Sequence, residues 1–133
     1  MRRILAFLLG QRGAAAMELA LVLPVMTFLI LGIINLSLVL YASASLHSAV
    51  QQAARYATTQ NNATGSDPGS TAVTGYASGH YVGPGIGASF SYAITGACNS
   101  TTTGHQVTGT GAYPIAFGLG LISVPLSATA CFP

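Results

Sequence analysis

The sequence predicts an α+β protein, in which a long N-terminal transmembrane helix continues into a small antiparallel β-sheet domain. Three observations carry that expectation. Residues 19–41 are apolar and uncharged. Residues 42–58 keep a helical spacing of small apolar side chains. Beyond residue 70, short runs of β-branched and aromatic residues alternate with polar ones between glycines. The chain then divides into a leader at 1–13, a helix at 14–58 with its span at about 19–41, and an extracytoplasmic Gly/Ser/Thr-rich β domain at 59–133.

The leader reads basic, apolar, basic: Met1-Arg2-Arg3, then Ile4–Leu9, then Gly10-Gln11-Arg12-Gly13. Its apolar part is too short to cross a bilayer. The following run, LALVLPVMTFLILGIINLSLVLY, reaches about 34 Å as a helix, enough for a hydrocarbon core of about 30 Å. Arg2, Arg3 and Arg12 all precede it, which predicts a cytoplasmic N-terminus. Tyr41 fits the aromatic belt at the far interface. Pro24 lacks an N–H, so a kink or a locally unwound turn is expected there. Asn35 and Ser37 have two readings, bonding to their own helix backbone or, for Asn35, bonding to a neighbouring helix.

Helical spacing persists past the span. Leu46, Ala49 with Val50, and Ala53 with Ala54 recur at three- and four-residue intervals, with Ser48, Gln51, Gln52 and Arg55 between them. Such a small-residue stripe suits close packing on a sheet or another helix. The helix is expected to end near Thr58, before the loop signal Gln60–Gly69. Strands are expected at Ser70–Tyr76, Ser89–Thr95, Gln106–Tyr113 and Leu121–Cys131, as a sheet of three or four strands covered on one face by the helix. His80–Gly87 reads as a turn-rich connection. Pro114 and Pro125 point to edge positions or strand ends. Phe117–Val124 reads as core or as an exposed contact patch.

Composition excludes several function classes. Charged residues are 5% of 133, against about 25% in ordinary soluble domains. The net charge of +2 is no nucleic-acid footprint, because only Arg55 follows the span. His47, His80 and His105 have a single acid beyond the span, Asp67, in an Asp-Pro-Gly turn, so catalysis is not expected. Cys98, His105, His80 and Cys131 lack a metal-ligand spacing, and no phosphate-binding loop occurs. Neither a cofactor nor a small-molecule substrate is expected. Asn62-Ala63-Thr64 and Asn99-Ser100-Thr101 match a glycosylation pattern that is common by chance. Cys98 and Cys131 both follow the span and so face an oxidising compartment; a disulfide leads, with two buried thiols as the alternative. A bridge would close a loop of about 34 residues, worth roughly 3–4 kcal/mol in the chain-entropy model.

Glu18 stands at the mouth of the span, and no charge follows it until Arg55. A carboxylate inside a bilayer costs roughly 2.5–3.5 kcal/mol at the centre and less near the edge, so it is a functional residue by default. A peptidase cutting after Gly13 would leave Ala14 with a charged α-amine one helical turn from Glu18. Pairing of amine and carboxylate, within a chain or between neighbours, would fix an axial register.

The Gly13-x-x-x-x-Glu18 pattern before an apolar span is similar to a type IV prepilin cleavage site. The string Arg12-Gly13-Ala14-Ala15-Ala16-Met17-Glu18-Leu19-Ala20-Leu21-Val22-Leu23-Pro24 resembles the TadE-like family, pseudopilins of the tight-adherence (Flp) pilus system. Leu31-Gly32-Ile33-Ile34, Leu40-Tyr41-Ala42 and Ala49–Ala57 fit the same family. Two positions depart from its habit: Asn35 stands where many members carry an acid, and Leu38 where they carry a base. The resemblance implies a pilin-like fold and a non-enzymatic, single-pass subunit in a bacterial inner membrane, its C-terminal domain periplasmic. It implies removal of the leader after Gly13 by a prepilin peptidase. The implied partners are other pilins and pseudopilins, the pilus assembly machinery and membrane lipid. The competing expectation is a secreted or anchored extracytoplasmic binding protein, because Ala42-Ser43-Ala44 has the form of a signal-peptidase site.

Overall fold

The computed structural model describes residues 11–98, 102–117 and 120–133. The leader up to Gly10 and the Asn99-Ser100-Thr101 tripeptide lie outside the described residues. The chain forms two compact units, Met1–Ser37 and Leu38–Pro133. The elements in order are α1 (Gln11–Thr64), α2 (Ser70–His80), β1 (Ser89–Cys98), β2 (Thr102–Phe117) and β3 (Gly120–Phe132). A long N-terminal apolar helix followed by a small three-stranded antiparallel sheet is the α+β arrangement the sequence predicts.

In the first unit α1 is apolar all round, and its large side chains, from Met17 and Leu21 to Phe28 and Ile33, are exposed. A helix of that composition needs an apolar environment rather than water. Pro24 lies inside it without ending it. The Thr27 hydroxyl donates to the Leu23 carbonyl at 2.8 Å. Asn35 Nδ2 donates to the Leu31 carbonyl at 2.9 Å, and the Ser37 hydroxyl to that of Ile34 at 2.8 Å. The polar groups of the run thus bond to their own helix, the first of the two readings for Asn35.

In the second unit the stripe foreseen on α1 is the core. Ala42, Leu46, Ala49, Val50, Ala53, Ala54 and Ala57 are buried together with Val73, Ala77, Ile86, Val107 and Ala128. Small residues let helix and sheet approach closely, and the sheet answers with glycine. A Cβ on Gly109 of β2 would lie 2.9 Å from Val50 Cγ2 and 3.0 Å from Leu46 Cδ1. The sheet is a meander in the order β1-β2-β3, with Phe90, Gly109 and Ala128 in register across it.

Helix α1 runs to Thr64, past the expected end at Thr58. Gly65 stops it with φ 69°, and its N–H donates to the Asn61 carbonyl at 2.8 Å, an αL terminus. Ser70–Tyr76 is not a strand as expected; it lies within helix α2. Its Val and Thr content favours strands, but Val73 and Ala77 are four residues apart and both buried. Tyr76 also stacks on His80 one turn on, ring centroids 4.0 Å apart. Tertiary packing here outweighs local propensity.

Both prolines follow the edge rule for a specific reason. β1 pairs with β2 only as far as Thr110. Beyond it β2 has one strand neighbour, and the Ala112 N–H turns away from β3 to the Ile86 carbonyl at 2.9 Å. By alternation the Pro114 nitrogen also faces away from β3. Pro125, paired with Ala112 on β3, likewise turns its nitrogen to the open edge. The Phe117–Val124 segment is the β2–β3 hairpin, with 118 and 119 outside the described residues.

Candidate functional site

Two groups of residues qualify, one in each unit. In the first, Gly13 and Ala14 lie near the first described residue of α1. Gly13 weakens the helix there, since glycine costs about 1 kcal/mol relative to alanine in a helix. Glu18 follows one turn later. Its side chain is exposed and borders a shallow surface hollow with Met17, Leu21 and Val22. It makes no ion pair among the described residues, where the single close acid–base contact is between His105 and Asp67. Glu18 is thus an isolated carboxylate on an apolar helix.

The second group was not foreseen. Asp67 in the α1–α2 loop, Tyr92 on β1 and His105 on β2 converge. The Tyr92 hydroxyl donates a short hydrogen bond to Asp67 Oδ1. His105 Nδ1 lies 2.5 Å from the same hydroxyl oxygen and 3.8 Å from Asp67 Oδ1. The hydroxyl has one proton, so with that proton directed at Asp67, Nδ1–H is the donor to the Tyr92 oxygen. His105 is 7% exposed and stacks parallel to Tyr92. Burial first, then the hydrogen bond and the charge of Asp67, push the Tyr92 phenol well above its ordinary value. It stays protonated and serves as a donor rather than a nucleophile. Chemically the cluster is a clamp holding the α1–α2 loop to the sheet. The sequence treated Asp67 as a local turn residue. The available signal was a lone acid in a region with no other, and a His on the inward phase of a strand.

Cys98 and Cys131 are bridged, their Cα atoms 5.6 Å apart. The bridge joins the two edge strands and passes beside Gly104 of the central strand, where an added Cβ would lie 2.7 Å from Cys98 Cβ. Nearby, the Arg55 guanidinium sits 5.2 Å from the Phe132 ring centroid, a cation–π contact. His47 and His80 each donate Nδ1–H at 2.9 Å to the carbonyl four residues back. Among the described residues no group of three or more His, Cys, Asp or Glu side chains is placed to hold a metal ion.

These features define a class: a small α+β protein on one helix long and apolar enough to cross a membrane. Residues 13–55 match the family model described as TadE-like protein, the family that the Gly13–Pro24 string resembles. No curated protein and no solved structure matches the chain. The match and the candidate membrane helix fit a membrane protein associated with the Tad pilus, and that family is a pilus-associated structural one.

Proposed function

We propose that the chain is a minor pilin-like subunit, a pseudopilin, that serves assembly of a tight-adherence pilus. A prepilin peptidase at the cytoplasmic face of the inner membrane removes the leader between Gly13 and Ala14. The mature helix stays in the bilayer with its C-terminal domain in the periplasm, and other pilins, pseudopilins and the assembly machinery are its partners. The observation that carries the reading is the position of Gly13 and Glu18, five residues apart at the start of α1, inside the segment matched by the family model.

The chemistry is one of charge creation and pairing. Cleavage leaves an α-amine on Ala14, protonated near neutral pH. Glu18 has no other ion-pair partner among the described residues. In an apolar surrounding an unpaired carboxylate is costly, so sliding of one helix along another stops where amine and acid meet. Pro24 adds a break in backbone bonding, and hence a kink, six residues further on. The disulfide stiffens the sheet that faces the periplasm.

The competing reading, secretion after cleavage at Ala42-Ser43-Ala44, meets a physical objection. Ala42 is fully buried in the domain core, so that cut would remove a core residue and interrupt the packed helix. N-terminal sequencing of membrane-extracted protein separates the two. Ala14 as first residue is expected; Ser45 as first residue would overturn the pseudopilin reading. Glu18→Ala should leave insertion intact and reduce incorporation into pili, and unchanged piliation would remove the pairing mechanism.

A further inference from the structure

The connection between α2 and β1 carries an unusual combination of exposure and bonding. Val82 is 74% exposed, the most exposed large apolar side chain among the described residues of the second unit. Yet both backbone polar groups of Val82 are bonded to α1. Its N–H donates to Ser45 Oγ at 3.0 Å, and its carbonyl accepts from the Tyr41 hydroxyl at 3.2 Å. Tyr41 and Ser45 are one helical turn apart, and Tyr41 closes the apolar run.

The neighbouring residues repeat the pattern. The Tyr81 hydroxyl donates to the Pro84 carbonyl at 2.7 Å. Its ring folds over Gly83, where a Cβ would lie 2.6 Å from the Tyr81 ring. Ile86 is buried, and its carbonyl ties the loop to Ala112 of β2. Residues 81–87 contain no charge; Arg55 and Asp67 are the charged side chains of the whole unit. An exposed apolar side chain whose own backbone N–H and carbonyl are both internally bonded is poorly suited to water. It is well suited to lipid, where unsatisfied backbone groups are what forbids irregular structure.

We propose that the loop 81–85 is a second membrane-contacting element, with Val82 seated in the outer interfacial layer of the bilayer beside Tyr41 and the exposed Leu40. The occupant follows from continuity. Leu38–Tyr41, the end of the apolar run, belong to the same compact unit as the loop, and Tyr41 bonds it directly. Where Tyr41 lies at the interface, Val82 lies there too. The loop then acts as a depth stop, setting how far the helix sinks and how the domain stands on the membrane. This inference rests on reading residues 19–41 as a span.

The chain contains no Trp, so single Trp substitutions report depth without background. The full-length protein is reconstituted in phosphatidylcholine vesicles carrying spin labels either near the headgroup or near the acyl-chain end. Val82→Trp should be quenched more by the shallow label than by the deep one. Leu31→Trp should show the reverse, and Ser127→Trp, exposed on β3, should be quenched by neither. Val82→Trp behaving as Ser127→Trp while Leu31→Trp is quenched would overturn the loop contact and leave the span standing. A blue-shifted but unquenched Val82→Trp would mean that protein rather than lipid covers the loop, and would overturn it equally. An unquenched Leu31→Trp would remove both the span and the inference.

Discussion

The two halves of helix α1 are written in different side-chain alphabets. From Leu19 to Leu40 it uses Leu, Val, Ile, Met and Phe, and nearly all of them are exposed. From Ala42 to Ala57 the inward face is mostly alanine, with Leu46 and Val50, and that face is fully buried. Large side chains stand where none of the described residues covers them. Small ones stand where the sheet comes close enough for Gly109 to touch Val50 and Leu46. Size therefore reports the partner. A helix side facing lipid can present bulk, whereas one meeting its own sheet at short range has to be slim. The same contrast separates the candidate residues: Glu18 makes no ion pair among the described residues, while Asp67 has both of its partners within the fold.

The contrast breaks most severely at the disulfide, a constraint that only the second unit has. Cys98→Ala together with Cys131→Ala should cost the domain roughly 3–4 kcal/mol by the chain-entropy account. Urea unfolding of the detergent-solubilised full chain, followed by tyrosine fluorescence, measures it. No loss of midpoint would mean that the bridge does not form in the folded protein. Side-chain size comes next. Leu46→Ala should cost about 3 kcal/mol in the same assay, as for a fully buried leucine leaving a cavity. Leu31→Ala, on the exposed half, should stay within about 0.5 kcal/mol. Equal losses at the two positions would end the distinction drawn between the halves.

The Asp67–Tyr92–His105 clamp gives a smaller, pH-dependent effect. Tyr92→Phe strands the buried His105 ring nitrogen, while the exposed Asp67 carboxylate turns to water, a loss of about 1–3 kcal/mol near neutral pH. The phenol is held above its ordinary value of 10.0 in the folded state. At pH values above that, the unfolded chain releases the proton and the folded chain keeps it, so the folded state binds more protons and stability falls as pH rises. Wild-type protein should therefore lose stability above about pH 10, and Tyr92→Phe should lose this part of the alkaline slope. A slope that the substitution leaves unchanged would mean that the phenol's proton is not held by the clamp.

Legibility followed the range of the interactions. The long apolar helix, the alanine stripe, three strands and both edge prolines could be read because each depends on neighbours within a few residues. Helix α2 could not, because Val73 and Tyr76 favour a strand until burial of Val73 with Ala77 decides otherwise. The clamp could not, because Asp67 meets Tyr92 across 25 residues, and its Asp-Pro-Gly setting explained it locally without them. Gly13 and Glu18 carry a proposal of the opposite kind. It lies in a fixed spacing along one helix, and the described residues add no contact to it.

The mildest test concerns where α1 stops. Gly65 has φ 69°, and no atom lies within 4 Å of where its Cβ would be. Substitution there is therefore a question of backbone conformation alone. Gly65→Ala should cost about 1 kcal/mol, the usual penalty for an L-residue in the left-handed region. Gly65→Asn should recover part of it, because asparagine tolerates that region. The asymmetry between ends gives this its force. At Gly13 a bulky replacement should block leader removal in cells while leaving domain stability unchanged, since that residue lies outside the packed unit. At Gly65 alanine should lower the urea midpoint slightly and leave leader removal untouched. Crossed outcomes, with Gly13 changing the unfolding midpoint or Gly65 changing the processed N-terminus, would show that the two ends of the helix are not independent.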